Sequence, residues 1–232
     1  MFMFAYNKYC DAVDLTGNEP LGVLNVIKTR RLCRENKKLL NFILEHRGST
    51  VLHVLCSGLG GTAFEPGIPP MGETIATVEA LVDAGFSPYH VVLCLAPILM
   101  NSKGWEWVRR TLDSFQDTGI MRVRYSMLRM DADKEERFRQ RFRRVPLIEM
   151  NQDRASEELH RVLEDFSIYT FEPTYGEQRV PVVSIKDLHV IGIRSSGIIT
   201  DERGSLPYRV IGGKGKQCVA NCVYCEEGCF DD

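Results

Sequence analysis

The sequence predicts an α/β protein built on a parallel β-sheet. Short apolar segments rich in β-branched residues, such as 51–56, are typical of buried strands. They alternate with longer segments in which apolar residues recur at helical spacing, such as 33–45. The connections are short, which favours right-handed crossovers between neighbouring parallel strands. The pattern leaves open whether the sheet is doubly wound and open, or a closed or partial barrel.

The first predicted strand covers residues 22–28, after an opening through Pro20 that shows no regular pattern. Further strands are predicted at 51–56, 90–96, 121–126 and 167–171, and helices at 33–45, 72–84, 105–115, 133–144 and 154–166. Residues 189–193 are predicted as a sixth strand-like element that could pair with 206–211. We expect all of these elements to belong to one domain over residues 1–232.

Length and composition favour a soluble globular protein. The chain has 232 residues, 44% of them hydrophobic, and a formal net charge of −2, so it can bury a full core and is not a general polyanion binder. The longest apolar run, 91–100, is too short for a membrane span and contains Pro97. The first residues lack the basic and apolar regions of a signal peptide. Cysteines without an evident disulfide pattern complete the prediction of a cytoplasmic protein that does not enter the membrane.

The segment from Cys218 onward carries the densest chemical signal. Four of the eight cysteines lie within twelve positions. Three of them, Cys218, Cys222 and Cys225, have the spacing CxxxCxxC, with Tyr224 directly before the last, and Cys229 follows. Three thiolates on one short loop can ligate three irons of a four-iron cluster and leave the fourth iron open to another ligand. The spacing therefore indicates a metal-binding loop within residues 212–229.

Three structural roles compete with a four-iron cluster for these cysteines. A disulfide framework is typical of small secreted domains and fits a chain of this length poorly. A buried helical stripe would require a row of core positions made only of cysteine. Structural zinc on all four thiolates is the serious rival, although zinc modules usually separate two ligand pairs by an intervening stretch. Spacing alone leaves the zinc and iron–sulfur interpretations open.

CxxxCxxC with an aromatic residue before the last cysteine resembles the cluster loop of radical S-adenosylmethionine (SAM) enzymes. The resemblance implies that Cys218, Cys222 and Cys225 hold a 4Fe-4S cluster whose open iron binds SAM. Reductive cleavage of SAM would then generate a 5'-deoxyadenosyl radical that acts on a substrate. A reductant such as flavodoxin or ferredoxin is implied as a partner. In that superfamily the loop follows the first barrel strand, whereas here it lies near residue 232.

The position of the loop resembles a radical SAM partial (β/α) barrel that has been circularly permuted. Residues 62–70, 96–98 and 125–127 are also similar to a bacterial family with its cysteine cluster at the C-terminus, itself distantly similar to spore photoproduct lyase. The permutation predicts that a strand at 208–211 lies beside the strand at 23–28. It also predicts that the three cysteines lie on the edge of the sheet where the other strands end.

The remaining candidate cofactor-binding residues lie at strand ends, because proteins with parallel sheets form their active sites at the carboxyl ends of the strands. Lys28, Thr29 and Arg30 could bind the SAM carboxylate or a substrate anion, with a solvated turn as the alternative. Glu65, on a loop stiffened by prolines, could contact the SAM ammonium group, with a surface acid as the alternative. The permuted-barrel resemblance adds five more cofactor-binding candidates: Pro97, Ser126, Gly212, Gly213 and Tyr224.

The sequence does not specify a substrate. Cys56 and Cys94 are candidate catalytic hydrogen donors, although each lies on an apolar strand where a buried thiol is the ordinary finding. Residues 137–144 contain five arginines, with phenylalanines four positions apart. Such a helix either keeps its arginines solvated or contacts the phosphates of a nucleic acid. The substrate is thus a small molecule or a nucleic-acid base, and the alternative function is a non-enzymatic, zinc-stabilised domain that binds nucleic acid or protein.

Overall fold

A fully parallel β-sheet organises the fold of this computed structural model, which describes residues 4–7, 23–142, 151–174, 180–194, 196–211 and 222–224. Over those residues the strands are β1 (Phe4–Asn7), β2 (Leu24–Thr29), β3 (Thr50–Leu55), β4 (Val91–Ile98), β5 (Arg122–Met127), β6 (Thr170–Pro173) and β7 (Arg209–Ile211). Their order is β6-β5-β4-β3-β2-β1-β7. Because β6 and β7 pair on one side only within this part of the chain, the sheet is open there.

Helices alternate with the strands, which confirms the predicted α/β class. They are α1 (Lys37–Glu45), α2 (Met71–Asp83), α3 (Ser102–Phe115), α4 (Ala132–Arg141), α5 (Gln152–Glu164) and α6 (Ile185–Val190). Side-chain caps fix two of their starts: Asn101 accepts from the Gly104 N–H at 2.8 Å, and Asp131 from the Lys134 N–H at 2.8 Å. In the part of the chain that the structure describes, no helix has the length and apolar content that crossing a membrane requires.

The two faces of the sheet are covered by different elements. Side chains alternate between the faces along each strand, so Ile27 and Leu52 point to one face and Val26 and Val51 to the other. The first face packs in a large apolar cluster against α1, α2, α3 and α5. The second face packs in a smaller cluster against α6 and its flanking segments. Burial on both faces explains why the strands are nearly continuous apolar runs.

A buried charged layer connects the second face to α6, and we call it the sheet-face network. Its members are His53 on β3, Arg122 and Arg124 on β5, Glu172 on β6 and Asp187 on α6, all buried except Arg122, whose side chain is 11% exposed. Arg124 Nε donates to Glu172 Oε2 at 3.0 Å, and an Arg122 terminal nitrogen donates to Asp187 Oδ1 at 3.0 Å. His53 Nε2 lies 3.9 Å from Asp187 Oδ1, too far for a hydrogen bond. The buried charges thus occur in opposite pairs, as burial demands.

Burial and the neighbouring charges determine the pKa values in the sheet-face network. Loss of solvent above all, aided by the Arg124 guanidinium, lowers the pKa of His53 to about 4, so the imidazole is neutral at pH 7. Burial alone would raise the pKa of Asp187, but the Arg124 and Arg122 guanidinium groups hold it below its usual range. Glu172 is likewise desolvated, and the two arginines with Lys186 lower its pKa overall. The carboxylates therefore stay charged at neutral pH.

Acidification from pH 6.5 to pH 4 is expected to destabilise the protein through His53. Because its pKa is lower in the folded state, the unfolded state binds more protons in this window, and stability present above pH 6.5 is lost as the pH falls. The shift from 6.5 to about 4 corresponds to at most about 3 kcal/mol. Urea unfolding at the two pH values should show a larger loss for the wild type than for His53→Leu. His160→Gln, at an exposed position of α5, should match the wild type, and equal losses in wild type and His53→Leu would contradict the assignment.

The opening of the chain differs from its prediction. Residues 4–7 form β1, where no regular structure was expected, and Ala5 pairs with Asn25 of β2 on one side and Arg209 of β7 on the other. The prediction that the strand at 208–211 lies beside the strand at 23–28 is therefore wrong, because β1 lies between them. A four-residue strand gains its stability from its two neighbours rather than from a local pattern, so it leaves little trace in the sequence.

Two further elements differ from their predictions. Residues 189–193 are not a strand: α6 ends at Val190, and a turn with Gly192 at φ +78° follows. The strand predicted at 167–171 begins only at Thr170, because Phe166 to Tyr169 form a turn closed by a 3.1 Å backbone hydrogen bond. In both places β-branched and aromatic residues pack against the sheet from a helix or turn rather than within a strand.

Candidate functional site

The carboxyl edge of the sheet carries an apolar group that we call the rim cluster. Its members follow strands or lie on α4 and the cysteine segment: Leu59, Ile68, Leu99, Leu128, Phe138, Cys222, Val223 and Tyr224. Leu99 and Leu128 stand directly after β4 and β5, so the cluster caps the ends of the central strands. Phe138 of α4 covers the outer side of the rim cluster. Residues 222–224 of the CxxxCxxC motif therefore meet the fold at the strand ends.

Residues 222–224 are held there by burial and by a backbone hydrogen bond from Val223. Cys222, Val223 and Tyr224 are all buried, and the Val223 N–H donates to the Phe64 carbonyl oxygen at 3.1 Å. Because β7 runs parallel to the other strands, the chain leaves Ile211 at this same edge. Cys218, Cys225, Cys229, Gly212 and Gly213 lie outside the described residues.

Arg30, directly after β2, joins the cysteine segment to two other strand ends. One terminal nitrogen donates to Glu65 Oε1 at 3.2 Å and to the Ala96 carbonyl oxygen at 2.9 Å. The guanidinium carbon lies 5.6 Å from the centroid of the Tyr224 ring, a cation–π distance. Arg30 thus connects the residue before Cys225 to the loop that carries Glu65 and to β4.

The loop 57–70 owes its shape to glycine and to the Glu65 side chain. Ser57 Oγ donates to Glu65 Oε1 at 2.8 Å, and the Gly61 N–H donates to the Glu65 carbonyl oxygen at 3.1 Å. A β-carbon at Gly60 would lie 2.0 Å from the Pro69 carbonyl oxygen, so no other residue fits without moving the backbone. Gly61 also adopts φ +75°, which favours glycine. The loop therefore folds back on itself and buries the carboxylate.

The Glu65 carboxylate is a buried charge at this edge. Only 1% of the residue is exposed. Burial raises its pKa, and the Arg30 charge and the Ser57 hydroxyl oppose that rise. Both hydrogen bonds use Oε1. The group can thus orient Arg30, and a cationic ligand at this edge would meet a carboxylate already fixed in position.

The other predicted cofactor-binding residues lie along the same edge. Lys28 and Thr29 are the last residues of β2, Pro97 belongs to β4 and Ser126 to β5. Thr29 is fully buried and its hydroxyl accepts from the Arg31 N–H at 3.1 Å, so it closes the turn after β2. Lys28, Pro97 and Ser126 are partly exposed. The fold therefore brings these strand ends to one side of the sheet, while their contacts to a cofactor stay a prediction.

The two candidate thiols are neighbours that point to opposite faces. The Cys56 N–H donates to the Cys94 carbonyl oxygen at 3.0 Å, but Cys56 packs in the helix-covered cluster and Cys94 in the cluster under α6. Burial raises the pKa of Cys56 to about 12 and also raises the pKa of Cys94. Both thiols are therefore protonated at neutral pH, as a hydrogen-atom donor would need to be, and they do not form one site.

A second group of possible metal ligands lies elsewhere. Atoms of Cys33, Glu35 and Glu73 lie within 4.8 Å of one another, on the turn before α1 and in the first turn of α2. Burial raises the pKa of the Cys33 thiol. Glu35 is exposed and Glu73 half-buried, and such acidic groups are common without a bound ion, so this group by itself does not define a metal site.

Helix α4 places arginine side chains beside the cysteine segment. A groove of about 340 Å³ is lined by Arg137, Gln140, Arg141 and Val223. Phe138 faces inward to the rim cluster, and Phe142 lies against it in a tilted arrangement, at 6.0 Å between ring centroids. Arg139 and Arg141 are exposed as expected, whereas Arg137 is half-buried and Phe142, directly after α4, is only partly buried.

Sequence reasoning missed two features of these sites. It treated Arg30 as a ligand-binding candidate only, whereas Arg30 bonds Glu65 across 35 positions of sequence. It also missed the sheet-face network, although a signal was present. Arg122 and Arg124 are two positions apart in a predicted strand, so both must face the same side, which is the pattern of a buried charged layer if the strand is central.

Fold and site together define an α/β protein whose sheet is parallel and whose polar and cysteine-bearing groups gather at the carboxyl edge. No protein-family model matches the chain, and no curated protein matches it. Among solved structures it is similar to spore photoproduct lyase complexed with dinucleoside spore photoproduct, at 16% identity and a TM-score of 0.49. A mutant form of spore photoproduct lyase matches at 15% identity and a TM-score of 0.46. Each match covers 71% of this chain, which spans 54% of the length of the matched chains.

Proposed function

We propose that the protein is a radical SAM enzyme with a circularly permuted partial barrel. In this proposal Cys218, Cys222 and Cys225 hold a 4Fe-4S cluster, and β7 leads into the cluster loop from the edge of the sheet, separated from β2 by β1. The observation that carries the proposal is the burial of Cys222 to Tyr224 against the carboxyl ends of the strands, beside Arg30 and Glu65. Parallel sheets place their chemistry at that edge.

The described residues suit such a cofactor. Cys222 is buried among apolar side chains, which would exclude water from a ligated thiolate. The Tyr224 hydroxyl is buried and, within the described part of the chain, has no hydrogen-bond partner. A bound group would supply one, since a buried unpaired hydroxyl is costly. Arg30 holds the Tyr224 ring and so would fix the chain next to Cys225.

When bound, the cluster would supply the electron that cleaves SAM to a 5'-deoxyadenosyl radical. The chain itself would bind and orient. Lys28 and Thr29 would lie near the SAM carboxylate, and Glu65, held by Ser57 and Arg30, near its ammonium group. The further SAM contacts proposed are Pro97, Ser126, Gly212, Gly213 and Tyr224. Cys56 and Cys94 stay candidate hydrogen donors, and a cytoplasmic flavodoxin or ferredoxin is the proposed reductant.

Serine substitution of each motif cysteine is expected to abolish the cluster. Anaerobic reconstitution with iron and sulfide should load about four irons per wild-type chain, and dithionite with SAM should then release 5'-deoxyadenosine. Cys218→Ser, Cys222→Ser and Cys225→Ser should each lose most of the iron and the product, because a four-iron cluster with only two thiolate ligands is poorly held. The measurements are iron and sulfide content, the visible absorbance of the cluster, and chromatography of the nucleoside.

Cys229→Ser is the matched control, because Cys229 lies close in sequence but outside the three-cysteine motif. It should keep iron and product at wild-type levels. Tight zinc that depends equally on all four cysteines, with no iron uptake, would favour the zinc-stabilised binding domain and exclude the radical SAM proposal.

A further inference from the structure

We infer that the groove beside α4 binds the phosphate ester group of the substrate. The groove has a volume of about 340 Å³, within the range of small-ligand sites. Its described lining consists of Arg137, Gln140 and Arg141 from α4 and Val223 from the cysteine segment. The groove thus borders Val223, the residue that follows Cys222. A molecule bound there would lie beside the proposed cluster loop, so its identification as substrate rests on the proposed function.

The charge of the groove points to an anion. Arg137 and Arg141 are four positions apart and therefore lie on the same side of the helix, and the described lining contains no carboxylate. Two acidic side chains of α4 are paired within the helix. Glu135 accepts from Arg139 at 2.5 Å, and Glu136, which lies beside the groove through Gln140, accepts from the Gln140 amide at 3.1 Å. The described lining itself therefore carries two positive charges and no negative one.

The geometry of the groove favours phosphate over a simple carboxylate. A guanidinium presents five N–H donors in a planar fork that matches phosphate oxygens. Arg141 donates to the Ala63 carbonyl oxygen at 3.5 Å, so it extends from α4 toward the loop 57–70. Two guanidinium groups and one amide can address several oxygens of a tetrahedral anion together, whereas a carboxylate requires only one guanidinium.

The buried side chain of Phe138 fixes the position of these arginines. It is 2% exposed and packs in the rim cluster with Val223 and Tyr224. Arg137 and Arg141 lie before and after Phe138 on the helix. Their backbone is therefore held in a fixed position relative to the cysteine segment. A phosphate held by both would leave the adjoining part of the substrate beside Cys222, which is the placement that a reaction at the proposed cluster needs.

The test is binding of phosphate-bearing probes to the full chain after anaerobic reconstitution. The probes are a fluorescein-labelled oligothymidylate of about twelve nucleotides, thymidine monophosphate and inorganic phosphate, measured by fluorescence anisotropy or competition at two salt concentrations. The wild type should bind at least one of the two phosphate esters. The Arg137→Gln/Arg141→Gln variant should bind that ester at least about tenfold more weakly and with a lower salt slope, since each lost phosphate contact reduces the slope by about one.

Arg139→Gln is the matched control, because Arg139 lies on the same helix, is exposed and pairs with Glu135. It should bind within about twofold of the wild type, and Arg137→Lys/Arg141→Lys should fall between the two because it keeps the charge but not the fork. Preference for the oligonucleotide would identify a nucleic-acid strand as the source of the phosphate, and preference for the mononucleotide a small phosphorylated molecule.

Two results would overturn the inference: no binding of either ester by the wild type, or equal weakening by Arg139→Gln and by the groove variant. These results are independent of iron loading. Arginine-dependent binding by a chain that takes up no iron would support the groove and exclude the proposed function. A chain that releases 5'-deoxyadenosine but binds no ester would support the proposed function and exclude the phosphate site in the groove.

Discussion

Arg124→Met is expected to destabilise the protein by about 3 to 5 kcal/mol, the usual effect of removing one partner of a buried ion pair. Arg124 is 3% exposed on a central strand. It donates to Glu172 Oε2 and to the Val182 carbonyl oxygen, both at 3.0 Å, and its guanidinium lies 3.6 Å from Asp187 Oδ2. Methionine fills much of the volume but supplies no donor. The Glu172 and Asp187 carboxylates would lose part of the positive charge that neutralises them, at a place that water does not reach.

Lys186→Met is the matched control for this prediction, because Lys186 bonds the same Glu172 carboxylate at 3.1 Å but is 54% exposed. A solvent-screened partner of this kind contributes about 0 to 1 kcal/mol. Urea unfolding at pH 7 measures both variants, and an unchanged slope on denaturant would show that the same surface is exposed on unfolding. Similar small losses in the two variants would mean that the network does not hold α6 to the sheet.

The central part of the fold was predictable because it is buried on both sides. The helix predicted at 72–84 is Met71–Asp83, and the strand predicted at 121–126 is Arg122–Met127. Strands covered on both faces become continuous apolar runs, and helices that cover them become amphipathic. Both patterns are local, so single-sequence periodicity is sufficient to find them.

Elements at the margins were missed because their stability is not local. β1 has four residues and exists between two parallel neighbours that lie far away in sequence. α6 has six residues, and its local signal was a capping sequence, Ser184 with Asp187 three positions later, whose carboxylate accepts from the Ser184 N–H at 2.8 Å. The prediction did not use that signal and followed the β-branched residues after it, which pack on the sheet from a helix end.

The candidate site was predictable in its location but not in its contacts. The CxxxCxxC spacing and the parallel order of strands predicted that the cysteine segment would lie at the carboxyl edge, where Cys222 to Tyr224 are found, while its metal chemistry stays a prediction. The ion pair between Arg30 and Glu65 depends instead on how the loop 57–70 folds back, which rests on a close approach at Gly60. Periodicity carries no information on such a contact between loops.

Arg30→Met is expected to destabilise the protein by about 3 to 5 kcal/mol at pH 7. It would leave the Glu65 carboxylate, 1% exposed, with Ser57 as its remaining described side-chain partner. It would also remove the cation from the Tyr224 ring, which adds about 0.5 to 2 kcal/mol in a partly desolvated site. Arg34→Met is the control, since Arg34 is exposed and donates to the Ala76 carbonyl oxygen at 3.3 Å, and it should change stability by less than about 0.5 kcal/mol.

The pH dependence of this loss distinguishes the buried charge from a packing defect. Burial already raises the pKa of Glu65, and removal of Arg30 would raise it further. A carboxyl with a raised folded pKa contributes stability below its unfolded pKa of about 4.3 and loses it as the pH rises through the folded pKa. The gap in unfolding free energy between wild type and Arg30→Met should therefore narrow from pH 7 to pH 4. The double variant Arg30→Met/Glu65→Gln should recover part of the loss at pH 7 and show no such narrowing. A gap that is the same at both pH values would assign the loss to packing rather than to the Glu65 charge.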